Sequence, residues 1–195
     1  MNKLAKSNKK AGMLYLVLFV FLIGAIILAI SSKTFQKVNY PLKYKEDVIK
    51  FSAQNRIDPY LVFAIIKAES GFNPNALSKR KAMGLMQLTE GTAEWGAAKL
   101  KLKNFIIDDL YKPEINIQIG CWYIAQLMKE YTDKDPDLVI VAYNGGSGNV
   151  NSWLKDKNFS STGYKLDRIP FKETDNFLKK VRSYYNKYSW LYGTD

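Results

Sequence analysis

The sequence predicts a mainly α-helical globular domain behind an N-terminal membrane-spanning helix. Three observations predict it. Residues 11–32, AGMLYLVLFVFLIGAIILAISS, carry no charge and are mostly strongly apolar. From about Tyr44 onward, segments with apolar residues three and four apart follow one another, framed by Asp, Thr, Pro or Gly. No long stretch alternates apolar with polar residues and no internal repeat recurs, so a sheet-based fold is not expected.

As a helix the uncharged run reaches roughly 33 Å, enough for a bilayer core of about 30 Å. The preceding MNKLAKSNKK holds Lys3, Lys6, Lys9 and Lys10 and no acid. The positive-inside rule therefore makes residues 1–10 a cytoplasmic tail and sends everything after the span outward. The apolar part is long for the core of a cleaved signal, and AIS before Ser32 is a weak cleavage site, so residues 11–32 read as an uncleaved anchor. No cysteine stands directly after the span, which excludes a bacterial lipoprotein. The outward part keeps 25 of the 29 basic residues and all 18 acidic ones, about +7 of the net +11. Such a surplus serves solubility or draws the domain to a polyanionic surface such as a cell wall. An outward location argues against nucleic acid as the partner.

Residues 33–43 are polar, contain Pro41 and read as a short linker to a domain over residues 44–195. KEDVIKFSAQNR is a first amphipathic helix. The second, DPYLVFAIIKAES, opens with Asp58 as N-cap and Pro59 at the first helical position, and Gly71 and Pro74 stop it. GFNPNALSKRKAMGLMQLTEG is rich in Gly, Asn and Pro and must be loop or short strand. TAEWGAAKLKL is helical, with Thr92 as a plausible cap. KPEINIQIGCWYIAQLMKEY is a long helix with Pro113 in its first turn and apolar spacing at Ile117, Cys121, Ile124 and Met128. DPDLVIVAYN follows, capped by Asp135 with Pro136 at N1, and runs into GGSGN, which reads as a flexible turn. ETDNFLKKVRSYYNKYSWL is the last helix.

Composition narrows the chemistry. The chain has no histidine, so a Ser-His-Asp triad, a Cys-His pair and a histidine zinc site are all excluded. Cys121 is the single cysteine, set in an apolar run, and reads as a small buried hydrophobe. Acid–base work is left to carboxylates, tyrosines or lysines. No metal or organic cofactor is implied.

Glu69 is the residue that asks for an explanation. It lies on the row of Ile66, Ile65 and Val62, at i−3, i−4 and i−7 of the most buried-looking helix. Desolvation there raises a carboxyl pKa, and an acid protonated near neutrality is what donates a proton to a leaving-group oxygen. The structural alternative is a buried glutamate satisfied by backbone or by a lysine. Ser78 and Gln87 are neutral hydrogen-bonding groups around Gly84. Tyr143 and Asn144 end a helix, and Glu173 opens the last one. Neutral polar groups with Trp and Tyr on loops suit a sugar better than a phosphate.

Taken in order, ESGFNPNALS, AMGLMQL, PEINIQIG, AYNGGSGNV with Trp153, and IPFKETDNFLKKV resemble the soluble-lytic-transglycosylase-type (SLT) catalytic domain, a lysozyme-like fold of the α+β superfamily that degrades peptidoglycan. The resemblance runs from about Asp47 to Tyr188. It implies Glu69 as the single catalytic acid/base. It implies Ser78 as a holder of the substrate N-acetyl group and Gln87 as a lining of the glycan groove. The Tyr143 hydroxyl is implied close to the catalytic carboxylate, with Asn144 beside it, and Glu173 is implied near the groove, where it equally serves as a helix N-terminal cap. Lys81 stands where a glycine is usual, Thr89-Glu90 where Met-Pro is common, Gly145 for alanine and Phe177 for tyrosine.

The implied reaction cleaves the β-1,4 bond between MurNAc and GlcNAc in peptidoglycan strands and closes a 1,6-anhydro ring on MurNAc. The alternative is a hydrolytic muramidase, which needs a second carboxylate to activate water. Glu90 is its first candidate, with Asp108 and Asp109 more remote. A third possibility is an inactive cell-wall-binding module, against which the presence of Glu69 argues.

Overall fold

The computed structural model describes residues 2–193, and of residues 2–12, 14, 30 and 31 only their place in a helix. The lysines of the expected basic tail thus lie outside the residues whose side chains are described. The chain divides into two compact units, residues 1–41 and 42–195.

In the first unit α1 (Asn2–Ser31) is followed by α2 (Lys33–Asn39). The hydroxyl of Ser32 separates them, donating to the Ala29 carbonyl at 2.7 Å and accepting from the Phe35 amide at 3.2 Å. That cap starts a helix inside the segment expected to be linker. Among the described residues no single helix is long and apolar enough to cross a membrane. Tyr15–Ala29 and Lys33–Asn39 pass together, bent by 61°, by length and composition only. Tyr15, Phe19, Phe21, Leu22 and Leu28 are all more than half exposed.

The second unit is built on helices that bury whole faces. In α3 (Lys45–Asn55) Val48, Phe51 and Ser52 point inward, and Arg56 ends it in the left-handed region. α4 (Pro59–Glu69) starts where Asp58 accepts from the Tyr60 amide at 2.8 Å. Val62, Phe63, Ala64, Ile65 and Ile66 are each at most 1 % exposed, so this helix is surrounded by protein nearly all round. Its long partner is α9 (Lys172–Tyr192), which buries Phe177, Leu178, Val181, Tyr188 and Leu191. Phe63 stacks on Tyr188 at 5.6 Å, Tyr60 donates to the Tyr192 carbonyl at 2.6 Å and Tyr185 donates to Asp58 at 2.7 Å. Apolar burial of this kind supplies roughly 1.5–3 kcal/mol per large side chain.

α6 (Pro113–Glu130) is the second inner helix, with Ile117, Ile119, Cys121 and Ile124 fully buried and Met128 at its exposed end. α5 (Glu90–Leu100) meets it at Gly96, where an added Cβ would lie 2.6 Å from Ile119. The cap of α5 is Thr89, without a side-chain cap bond. Thr92 instead sits in the first turn and shares a 3.0 Å hydrogen bond with the Thr89 hydroxyl, which corrects the expected cap.

α7 (Asp137–Gly145) has Pro136, already at helical angles, as its N-cap rather than the expected Asp135, which stands one residue earlier and accepts from the Asp137 amide at 3.0 Å. The glycine cluster after it is not a flexible turn. Only Gly146, at φ +83°, breaks the helix, and α8 (Ser147–Lys155) follows at once. Val150, Trp153 and Leu154 supply the inward stripe that drives it. A 3₁₀ helix over Ile107–Tyr111 precedes α6. The described residues hold no named strand. The loop between α4 and α5 carries two isolated antiparallel bridges, Leu77 with Met83 and Met83 with Leu88. The β component of the expected α+β domain is thus confined to these bridges, and the described residues are mainly helical.

Candidate active site

Glu69 is the last residue of α4. Ser70 caps the helix and donates from its hydroxyl to the Leu85 carbonyl at 2.7 Å, tying the helix end to the following loop. Gly71 and Phe72 both turn left-handed, at φ +59° and +69°, and carry the chain away. The carboxyl is half-buried, behind the fully buried Ile65 and Ile66. Burial pushes its pKa from an ordinary 4.5 up to about 8, against the pull of the Lys180 ammonium and with a push from Glu173. The negative end of the helix dipole acts in the same upward direction. At pH 7 the protonated form is therefore favoured.

The loop facing Glu69 is held from below. Asn116, fully buried on α6, accepts from the Met86 amide at 2.8 Å and donates to the Met83 and Leu110 carbonyls at 3.0 and 2.9 Å. Gly84, at φ +75°, lies so close that a Cβ would sit 2.2 Å from both the Asn116 amide nitrogen and the Leu110 carbonyl oxygen. Gly120 makes room for Met86 in the same way, since a Cβ added there would lie 2.2 Å from the Met86 sulfur. Tyr143 completes the support, donating from its hydroxyl to the Met86 carbonyl at 2.7 Å. Its pKa is raised well above 10 by burial first and then by the Glu69 charge, so it stays a neutral donor.

Three expected groove residues come together. Gln87, Tyr143 and Asn144 line a cleft of about 250 Å³ with Thr89, Thr92, Tyr123 and Gly145. Gln87 is also a clamp: its backbone is left-handed at φ +48°, and its amide donates to the Ala76 and Gly84 carbonyls at 3.1 and 3.0 Å. Asn144 accepts from the buried Thr174 hydroxyl at 2.8 Å, which joins α7 to α9. Glu173 is exposed, 3.4 Å from Arg80, in an ion pair too wet to contribute much stability. Its charge still reaches Glu69.

Ser78 and Glu69 lie outside the lining of that cleft. The Ser78 hydroxyl accepts from the Ala82 amide at 2.9 Å and closes a tight turn. Lys81 sits in that turn at φ +62°, a conformation glycine adopts at no steric cost, which explains why a glycine suits this position.

The carboxylates considered for water activation lie elsewhere. Glu90 lines a separate depression with Glu94, Lys101 and Ile106. Asp109 accepts from the Ile106 amide and from Lys112 at 3.0 and 2.7 Å, and Asp108 is exposed on the 3₁₀ helix. A larger hollow of about 540 Å³, lined by Asp58, Leu61, Ile140, Arg182 and Tyr185, has its charges already engaged: Arg182 pairs with Asp137 at 2.9 Å and Tyr185 binds Asp58. Among the described residues no three His, Cys, Asp or Glu side chains cluster as a metal requires.

Four contributors were not legible as such in the sequence. Asn116 stands among isoleucines on α6, and a lone amide on an apolar face was its only signal. Ser70 and Tyr123 carried none beyond their neighbourhood. Lys180 donates to the Ala68 carbonyl at 3.0 Å from 112 residues away, a separation no local pattern spans.

The model of the family described as "Transglycosylase SLT domain" matches residues 46–165. The soluble lytic murein transglycosylase of Escherichia coli K12 is 29 % identical over 157 residues, covering 79 % of this chain and 24 % of the relative. Membrane-bound lytic murein transglycosylase C of Sodalis glossinidius is 34 % identical over 166 residues, covering 75 % and 46 %. The chain thus spans about a quarter of the soluble relative and under half of the membrane-bound one. Among solved structures, an inactive mutant of the lytic transglycosylase Slt from Pseudomonas aeruginosa superposes with a TM-score of 0.71 at 28 % identity, over 82 % of this chain and 26 % of that one. The 70-kDa soluble lytic transglycosylase in complex with bulgecin A gives 0.74 at 27 % identity, over 83 % and 26 %.

Proposed function

This chain belongs to the transglycosylase SLT domain family, and we propose on that premise that it is a peptidoglycan lytic transglycosylase with Glu69 as its general acid and base. The observation that carries the reading is the environment of Glu69: a carboxyl at the end of a buried helix, with a pKa of about 8, beside a cleft lined by Gln87, Tyr143 and Asn144.

In the proposed reaction the Glu69 proton passes to the oxygen linking MurNAc to GlcNAc, and the C1–O bond breaks. The N-acetyl carbonyl of MurNAc, steadied by Ser78, supports the positive charge at C1. The Glu69 carboxylate then takes the proton of the sugar's own 6-hydroxyl, whose oxygen bonds to C1. Glu69 regains its proton, a 1,6-anhydro end forms and no water is consumed. Intramolecular attack supplies the proximity that an external water lacks. Hydrolysis needs a second carboxylate near the bond, and the positions of Glu90, Asp108 and Asp109 favour the one-carboxylate route.

Residues 11–32 are proposed as a single-pass anchor, with residues 1–10 cytoplasmic and residues 44–195 on the wall side as the catalytic domain. Exposed apolar side chains along α1 and the membrane-bound name of one relative support this. Glycan strands are the proposed partner.

Mass spectrometry of digested peptidoglycan tests the reaction, because anhydro and reducing ends differ by one water. Wild type should release anhydro products and Glu69→Gln none. Reducing ends from wild type would replace the proposal with a muramidase, and clearing by Glu69→Gln at the wild-type rate would remove Glu69 as the acid.

A further inference from the structure

We propose that Trp95 is a stacking platform for a pyranose ring of the glycan strand, placed just beyond the cleft and extending it along α5. The inference rests on the glycan reading of the cleft. Thr92 lines the cleft, and Trp95 is three residues further on, on the same face of α5. The indole is held on two sides by α6. Its ring meets Trp122 edge-on at 4.6 Å and 79°, and Tyr123 at 6.4 Å and 76°. Tyr123 lines the cleft and lies 5.5 Å from Tyr143, whose pKa feels the Glu69 charge. A run of ring contacts therefore leads from Tyr143 through Tyr123 to Trp95.

Trp95 ends that run 46 % exposed. Trp190 is as exposed, at 47 %, but the Lys187 ammonium lies 4.7 Å from its ring centre. Two edge contacts fix the orientation of Trp95 before any ligand arrives, so little side-chain entropy is lost on binding. A pyranose matches such a surface: its axial C–H groups present an apolar face while its hydroxyls stay in water. A flat ring fixed beside neutral polar groups selects a saccharide rather than an anion.

The test is binding and turnover of peptide-free glycan oligomers of increasing length by the full chain in nonionic detergent, with Glu69→Gln as the background for binding. Trp95→Ala should weaken long oligomers by about tenfold, the order expected for a lost aromatic contact, and the deficit should shrink as the oligomer shortens. The loss should appear in KM rather than kcat. Trp95→Tyr, which keeps a ring face, should recover most of the affinity. Trp95→Leu, which keeps apolar bulk against Trp122, should not. Equal affinities for wild type and Trp95→Ala at every length overturn the platform, as does a deficit seen only with peptide-bearing strands. Failure of wild type to bind any glycan overturns the functional reading as well.

Discussion

Replacing Glu69 by glutamine should stabilise the protein at alkaline pH and leave it unchanged in acid. The folded carboxyl ionises at about 8, whereas 4.5 is its ordinary value. Below pH 4 both folded and unfolded chains hold the proton and the site costs nothing. Between 4.5 and 8 the unfolded chain has released its proton and the folded chain has not. Each pH unit across that window therefore favours unfolding by about 1.4 kcal/mol. The penalty grows to on the order of 3–5 kcal/mol by pH 8.5, a large part of a typical stability of about 5–15 kcal/mol. Glutamine has the same shape and no such proton. Guanidinium unfolding of wild type and Glu69→Gln, followed by tryptophan fluorescence from pH 4 to 9, gives the difference directly, because the other titrating groups cancel to first order. Stabilities should coincide at pH 4 and diverge steadily in favour of glutamine. A difference that stays flat with pH would refute the account of a desolvated, proton-holding Glu69.

Other outcomes follow from the same geometry. Lys180→Met removes the cation that pulls the Glu69 pKa down, while Glu173 and Tyr143 remain around it, so the alkaline limb of the pH–activity profile should move to higher pH and Lys180→Arg should restore it. Asn116→Leu leaves the Met86 amide and two carbonyls without their partner and should cost on the order of 3 kcal/mol in a urea titration, with activity falling in parallel. Gly84→Ala combines a left-handed backbone with a Cβ 2.2 Å from Asn116 and Leu110 and should lower the melting temperature by several degrees, more than Gly148→Ala, where the added carbon meets nothing within 4 Å.

Much of the frame was legible. Asp58 and Pro59 open α4 and Pro113 starts α6, because capping chemistry is local and each side chain acts within a few residues of itself. Local rules also misled where composition hid a pattern. The glycines of GGSGN masked the Val150, Trp153 and Leu154 stripe of α8, and polarity concealed the Ser32 cap of α2. Thr92 looked like a cap, but the helix starts one turn earlier at Thr89.

Of the site residues, Glu69 was marked by helical phase, since a charge among isoleucines at i−3 and i−4 must face the interior of a packed domain. Tyr143, Asn144 and Gln87 line one cleft, while Ser78 lies outside that lining in a turn where its hydroxyl accepts from the Ala82 amide.

The sequence by itself determined which carboxyl is desolvated, because the turn of a helix dictates which neighbours surround it. Only the tertiary structure decided what shares its field and what supports its loop. Lys180 and Glu173 arrive on α9, Tyr143 on α7 and Asn116 on α6, each from tens of residues away along the chain. Electrostatic coupling and buried hydrogen bonds depend on distance through space, and that distance is set by how the helices pack.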